Sequence, residues 1–228
     1  MTPSGSGPAP HSRGAAGLPA LTRDRIIAAA TLLTAERGLD NWSVRQLAAE
    51  VHAYPAVIYH HVGDRDAVIA AVTDRVLRMV SEPPPELGWR EWFELLLARL
   101  REVLLGYPGV AGRLALFGPA DGSAVRMIDT GVRVLRGAGF GQESVLVYNM
   151  LLSSGCQYVA MERDRLRGLE QRVRAAGCVR PAEGPDPGAH ELLRDPERAS
   201  THYARLYEYA IARCLDGAAC RLAELTAS

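Results

Sequence analysis

Two stretches decide the fold: Trp42-Ser43-Val44-Arg45-Gln46-Leu47-Ala48-Ala49-Glu50 and, four residues later, Pro55-Ala56-Val57-Ile58-Tyr59-His60-His61. Ser43 at the N-cap with Gln46 three residues on reads as a capping box, and Trp42 can staple onto Leu47. A short helix therefore starts there and ends near Glu50. Pro55 suits the first position of the next helix, about 55–61, because its missing N–H would be unpaired there anyway. Working backwards, Thr22 caps an earlier helix, about 22–37, in which Ile26, Ala30 and Leu33 recur at helical spacing. Gly38 suits the left-handed position that closes it. Working forwards, Gly63 breaks the chain and Asp64 caps a fourth helix whose apolar face, Val68, Ile69, Val72, Val76 and Val80, runs to about Ser81. Three short helices, the last two joined by a tight turn, make a helix-turn-helix; the plainer alternative is a three-helix corner in an all-helical protein.

The remainder is also helical in pattern. Pro83-Pro84-Pro85 ends the fourth helix rigidly. Helices are expected over Trp89–Leu105, near 110–117, over about 121–137, over 142–163 and over about 197–225. Residues 164–196 mix Gly, Pro and many Arg and read as a poorly packed loop with a short helix. Residues 1–20, MTPSGSGPAPHSRGAAGLPA, read as a disordered tail. The fold class is all-α, with nine or ten helices and no sheet. Its parts are a head over 21–66, a connecting helix over 67–82 and a larger helical region over 83–228.

Composition narrows the function. The 228 residues carry 26 Arg, no Lys and 26 acidic groups, a formal net charge of zero. Such a chain lacks the broad positive field of a non-specific nucleic-acid coat. At 48% hydrophobic it can build a substantial core. Charges interrupt every apolar run before a membrane span is reached, and the N-terminus shows no signal-peptide pattern. Cys156, Cys178, Cys214 and Cys220 are too widely spaced for a zinc or redox site, and are read as reduced thiols of a cytoplasmic protein. No nucleophile elbow, zinc-protease, Walker or dinucleotide-binding motif is present, so no catalytic residue, metal or cofactor is assigned. His60 and His61 beside Asp64 and Asp66 fit no standard metal spacing.

The segment Leu21 to Leu77 strongly resembles the DNA-binding domain of TetR-type transcriptional regulators. The resemblance rests on Ile26 and Ala29-Ala30, Gly38, Ser43 with Arg45-Gln46-Leu47-Ala48, Pro55 with Ile58-Tyr59-His60-His61-Val62, and Asp64-Arg65-Asp66. It covers about a quarter of the chain. It implies that the 55–61 helix lies in the major groove of duplex DNA. Ser43 would meet phosphate at a helix N-terminus, and Arg45 a base edge or phosphate. Tyr54, Pro55 and Ala56 would lead the recognition helix, with Tyr54 and Ala56 towards base edges. Tyr59, His60, His61 and Arg65 would contact or position the backbone. Two departures stand out. His52 holds the turn position usually occupied by Gly, and Tyr54 replaces the usual Ser or Thr cap. Residues 21–80 carry seven Arg and seven acidic groups, so the head is neutral too and its affinity should vary only moderately with salt.

Such heads work as two-fold pairs on palindromes, so the rest of the chain is expected to dimerise. Val145, Leu152 and Val159 on one long segment, and Tyr207, Ile211, Leu215, Ala218 and Leu222 on the last, are the candidate surface for an intersubunit four-helix bundle; burial within one subunit is the alternative. The last helix resembles that of tetracycline-repressor-like C-terminal domains. Trp89, Trp92, Phe93, Leu96, Tyr107, Phe117, Met127, Tyr148 and Met161 are candidates to line an apolar effector cavity, with Arg99, Asn149 and Gln157 as polar anchors. The reading is a homodimeric repressor released from a palindromic operator by a hydrophobic or aromatic molecule. Activation by the same binding, or a helical scaffold that has lost its operator, are the alternatives.

Overall fold

The computed structural model describes residues 20–119, 123–176 and 196–227. Residues 1–19 of the tail expected over 1–20, and 177–195 of the loop expected over 164–196, lie outside the described residues. Among those described the fold is all-α, with nine α-helices and a 3-10 turn at Gly141–Glu143. They are α1 (Arg23–Arg37), α2 (Val44–Glu50), α3 (Pro55–His61), α4 (Arg65–Leu77), α5 (Trp89–Leu105), α6 (Val110–Phe117), α7 (Ser123–Ala138), α8 (Ser144–Ala176) and α9 (Pro196–Ala227). None is long and apolar enough to cross a membrane.

The first four starts follow local chemistry. The Thr22 hydroxyl accepts from the Arg25 N–H at 3.3 Å, and Asp64 Oδ1 accepts from the Ala67 N–H at 2.8 Å. Gly38, at φ 91°, donates to the Thr34 carbonyl and closes α1. Behind the head, Trp42 Nε1 donates to Thr34 Oγ1 at 3.0 Å, so the largest buried ring of this region has its polar edge satisfied. Ile26, Leu47 and Ile58 meet there with no exposed surface.

Two boundaries differ from expectation. α4 stops at Leu77 and not near Ser81, because the N–H groups of Met79 and Val80 turn back to the Val76 and Leu77 carbonyls at 3.0 Å, three residues behind each. α8 runs on to Ala176, through the first part of the stretch expected as loop. Leu169 is buried there, and the surrounding Arg, Leu, Glu and Gln are good helix formers, so one glycine at 168 does not stop the helix.

α8 is the spine of the larger region and packs against α5, α6, α7 and α9. At Gly155 a Cβ would stand 2.9 Å from Leu97, so glycine lets α5 approach. The Tyr207 hydroxyl, from α9, donates to the Leu97 carbonyl at 2.9 Å. Arg101 on α5 pairs with the buried Glu162 carboxylate of α8 at 3.0 Å and sits over the Tyr207 ring. The head meets the rest at a second place besides α4. The Leu39 N–H donates to the Pro108 carbonyl at 2.8 Å, and Gly109, at φ 91°, leaves only 2.9 Å between a would-be Cβ and that of Leu39.

Candidate functional site

The capping box at the start of α2 is closed from both sides. The Ser43 hydroxyl accepts from the Gln46 N–H at 3.3 Å, while the Ser43 N–H donates to Gln46 Oε1 at 2.8 Å. Beside it an open cleft gathers Ser43, Arg45, Tyr59 and Arg65 over Trp42, with Asp40 at its edge. Arg65 lies 5.5 Å over the Trp42 ring and donates to the Leu39 carbonyl at 3.2 Å. Those contacts aim the guanidinium while leaving further N–H donors for an anion.

α3 is held by one side chain and shows the rest. Ile58 is buried; Ala56, Tyr59, His60 and His61 are exposed, Pro55 and Val57 are half-buried, and Tyr54 is 82% exposed at the leading end. His60 and His61 stand edge to face, ring centroids 5.6 Å apart. Both sequence departures are visible in the backbone. His52, at φ 51°, is the one non-glycine residue with positive φ among the described residues. Tyr54 gives α3 no side-chain cap.

A second site lies in the larger region. A partly enclosed cavity of about 110 Å³ sits among α4, α5, α6, α7 and α8. Leu77, Leu100, Leu114 and Ile128 form apolar walls, with Gly118 and Pro119 at one end. Of the residues expected to meet a ligand, Met127, Tyr148 and Asn149 line it. Leu152, Ser153 and Cys156 complete the α8 side without having been assigned to a ligand. Their signal was the i, i+4 rows 148-152-156 and 149-153, which periodicity alone reads as part of a packing face.

The other expected ligand contacts lie elsewhere. Trp92, Phe93 and Leu96 have no exposed surface and sit in the core behind the wall. Trp89 packs edge-on to Phe140 at 5.2 Å, and Tyr107 is half-buried beside the α5–α6 turn. Phe117 is 72% exposed beneath Arg113. Gln157 is exposed and Met161 half-buried on α8, neither at the cavity. Arg99 donates to the Ser81 and Glu82 carbonyls at 3.2 and 2.9 Å, so it tethers the chain after α4.

Burial pushes the Cys156 thiol up to about 12. Burial, with a smaller contribution from Cys156, raises the Tyr148 phenol further still. Both are neutral near pH 7. The Tyr148 ring lies against α7, where a Cβ on Gly131 would come within 2.5 Å of it, and stands edge-on to Phe93 at 6.0 Å.

Of the residues expected at a dimer surface, Val159, Tyr207, Ile211, Leu215 and Ala218 are buried inside the single chain. Leu152 faces the cavity, Leu222 is half-buried near Gly139, and Val145 is exposed. Beside Val145, the apolar groups that α8 and α9 leave uncovered include Leu146 at 68% exposure, Met150 and Tyr209.

Residues 26–72 match the family model described as bacterial regulatory proteins, tetR family. An HTH-type transcriptional regulator of Saccharopolyspora erythraea is 32% identical over 139 residues, 60% of this chain and 58% of that protein. The HTH-type transcriptional repressor DrrR1 of Streptomyces coeruleorubidus is 36% identical over 89 residues, 39% of this chain and 33% of its own. The matches thus span less than two thirds of either relative. Among solved structures, the TetR family protein ActR of Streptomyces coelicolor, in complex with actinorhodin, is 27% identical with a TM-score of 0.63, covering 88% of this chain and 99% of ActR. Residues 26–72 thus carry a TetR-type DNA-binding domain, and over most of its length the chain has the fold of TetR family proteins such as ActR.

Proposed function

We propose that this chain is a homodimeric repressor, seated on a palindromic operator and released from it by a hydrophobic or aromatic small molecule. One observation carries the reading: α4 begins with Arg65 in the head cleft and ends with Leu77 in the cavity wall. Its 13 residues place those two ends about 18 Å apart on one rod. A ligand that favours one setting of Leu77 therefore biases the setting of the head. ActR has been captured with a small molecule and DrrR1 is named a repressor, which supports both halves of the proposal.

In this reading residues 21–66 are the DNA head, 67–82 the connector and 83–228 the sensing and dimerising region of a cytoplasmic protein. Ser43, Arg45, Tyr59 and Arg65 hold phosphate, and His60 and His61 set the depth of α3. Tyr54, Pro55 and Ala56 meet base edges, where their apolar surface suits thymine methyl groups. Two heads then read half-sites about 34–36 Å apart. The partner covers the outer faces of α8 and α9, at Leu146, Met150 and Tyr209, and not the inner faces that close the subunit's own core.

Footprinting on the DNA flanking its own gene, at defined salt, tests this. The expected result is protection of one palindrome by a dimer, lost in Arg45→Ala or His61→Ala protein and lost on adding a compound from a panel of hydrophobic small molecules. Protection no greater than on random DNA, confirmed by a genome-wide binding selection, would overturn it.

A further inference from the structure

We infer that the cavity takes an uncharged ligand presenting a hydrogen-bond acceptor, a carbonyl above all, to one edge of α8. The inference rests on the effector reading above and adds the chemical class. Every polar side chain in the lining comes from one helix: Tyr148, Asn149, Ser153 and Cys156. Their spacing puts them along one side of α8, so polarity is confined to a single edge of an otherwise aliphatic pocket.

Three features select the ligand's charge and polarity. No Arg, Asp, Glu or His lines the cavity, so an ionic group would lose water there without gaining a counter-charge. None of the four polar side chains hydrogen-bonds to another protein group among the described residues, so their capacity is open to a guest. The Tyr148 phenol is protonated near pH 7 as any phenol is, and burial pushes the Cys156 thiol up to about 12, so both are donors and the thiol is unreactive. Asn149 and Ser153 add donors at the exposed end.

Size and position refine this. An apolar cavity of about 150 Å³ holds benzene. The 110 Å³ found here is smaller, so no more than one ring enters and the rest of the molecule lies at the mouth beside Asn149 and Ser153. Gly131 is a positioning residue. Without a Cβ it allows the Tyr148 ring to lie on α7, and Phe93 braces the ring from another side.

Calorimetric titration of the full chain with three probes on one skeleton tests the assignment: 2-acetylnaphthalene, 2-ethylnaphthalene and 2-naphthoate. The ketone should bind about five- to tenfold more tightly than the hydrocarbon, as one net hydrogen bond allows, and the carboxylate should bind weakest. Tyr148→Phe should bring the ketone down to the hydrocarbon's affinity while leaving the hydrocarbon unchanged. Asn149→Leu, at an exposed position, gives a second reading that does not depend on the core. Naphthoate binding as tightly as the ketone would overturn the inference, as would a ketone preference unchanged in both variants. Operator release, followed by fluorescence anisotropy on labelled DNA, separates the two readings. Ketone binding with the stated preference but no release sinks the release mechanism and leaves the ligand class standing. Release by a charged compound, with none of the three probes bound, does the reverse.

Discussion

The head and the cavity region solve opposite problems with the same kind of element. In the head, α3 spends one side chain, Ile58, on anchorage and leaves nearly everything else outside. In the cavity region the working surface faces inward, and five helices each contribute a few atoms to it. The head's helices start and lock through near neighbours in the chain, Ser43 with Gln46, Asp64 with Ala67, and Trp42 with Thr34 eight residues away, with Arg65 reaching back to Leu39 to close the cleft. The cavity is specified by distant ones, such as Leu77 on α4 and Cys156 on α8. A surface meant for a large, stiff polyanion can be laid out by local rules. A pocket for a small guest needs partners separated by tens of residues in sequence.

Substitutions can break or sharpen that contrast. The largest effect should come from Phe93→Ala, since Phe93 has no exposed surface and braces both Trp92 and Tyr148. A loss of about 3–5 kcal/mol in unfolding free energy is expected, read from the midpoint of urea unfolding. Ser43→Ala should cost about 1 kcal/mol, the usual value of an N-cap, yet it should weaken operator binding in anisotropy titrations because the same residue lines the head cleft. If its stability cost equalled that of Phe93→Ala, the division between local and long-range specification would fail. The smallest change is His52→Gly. It should raise stability by about 0.5 kcal/mol, because the turn holds a φ of 51° that glycine adopts freely while losing more chain entropy on folding. A thermal melt checks the sign, and a drop in melting temperature would show that the His52 side chain contributes more than its backbone costs.

The legibility of the chain follows the same line. Caps and breakers are one- to four-residue signals, so Thr22, Ser43, Pro55 and Asp64 were readable as starts and the structure has helices there. The left-handed turn at His52 and the uncapped end at Tyr54 were also visible in advance, because each is a residue type set against a local backbone demand. Periodicity is weaker evidence. It shows that α8 has an apolar face, but not which neighbour covers it. Leu152, Val159 and Leu215 thus read as dimer contacts, yet Leu152 lines the cavity and the other two lie within the chain's own core. Arg99 shows the limit most clearly. An Arg set among the leucines of α5 invites a ligand, but two carbonyls of the chain after α4 already accept its donors. The continuation of α8 to Ala176 was obscured by composition, since an Arg-rich stretch with a glycine reads as loop until Leu169 finds its place in the core.

The bond from the Leu39 N–H to the Pro108 carbonyl has a mechanical consequence. A body attached at one point can swivel in any direction, whereas a body attached at two turns only about the line that joins them. α4 is one attachment and the Leu39–Pro108 contact, pressed close by Gly109, is the other. The head is then a door on two hinges and not a ball in a socket. A displacement that reaches it is then channelled chiefly into a turn about that line.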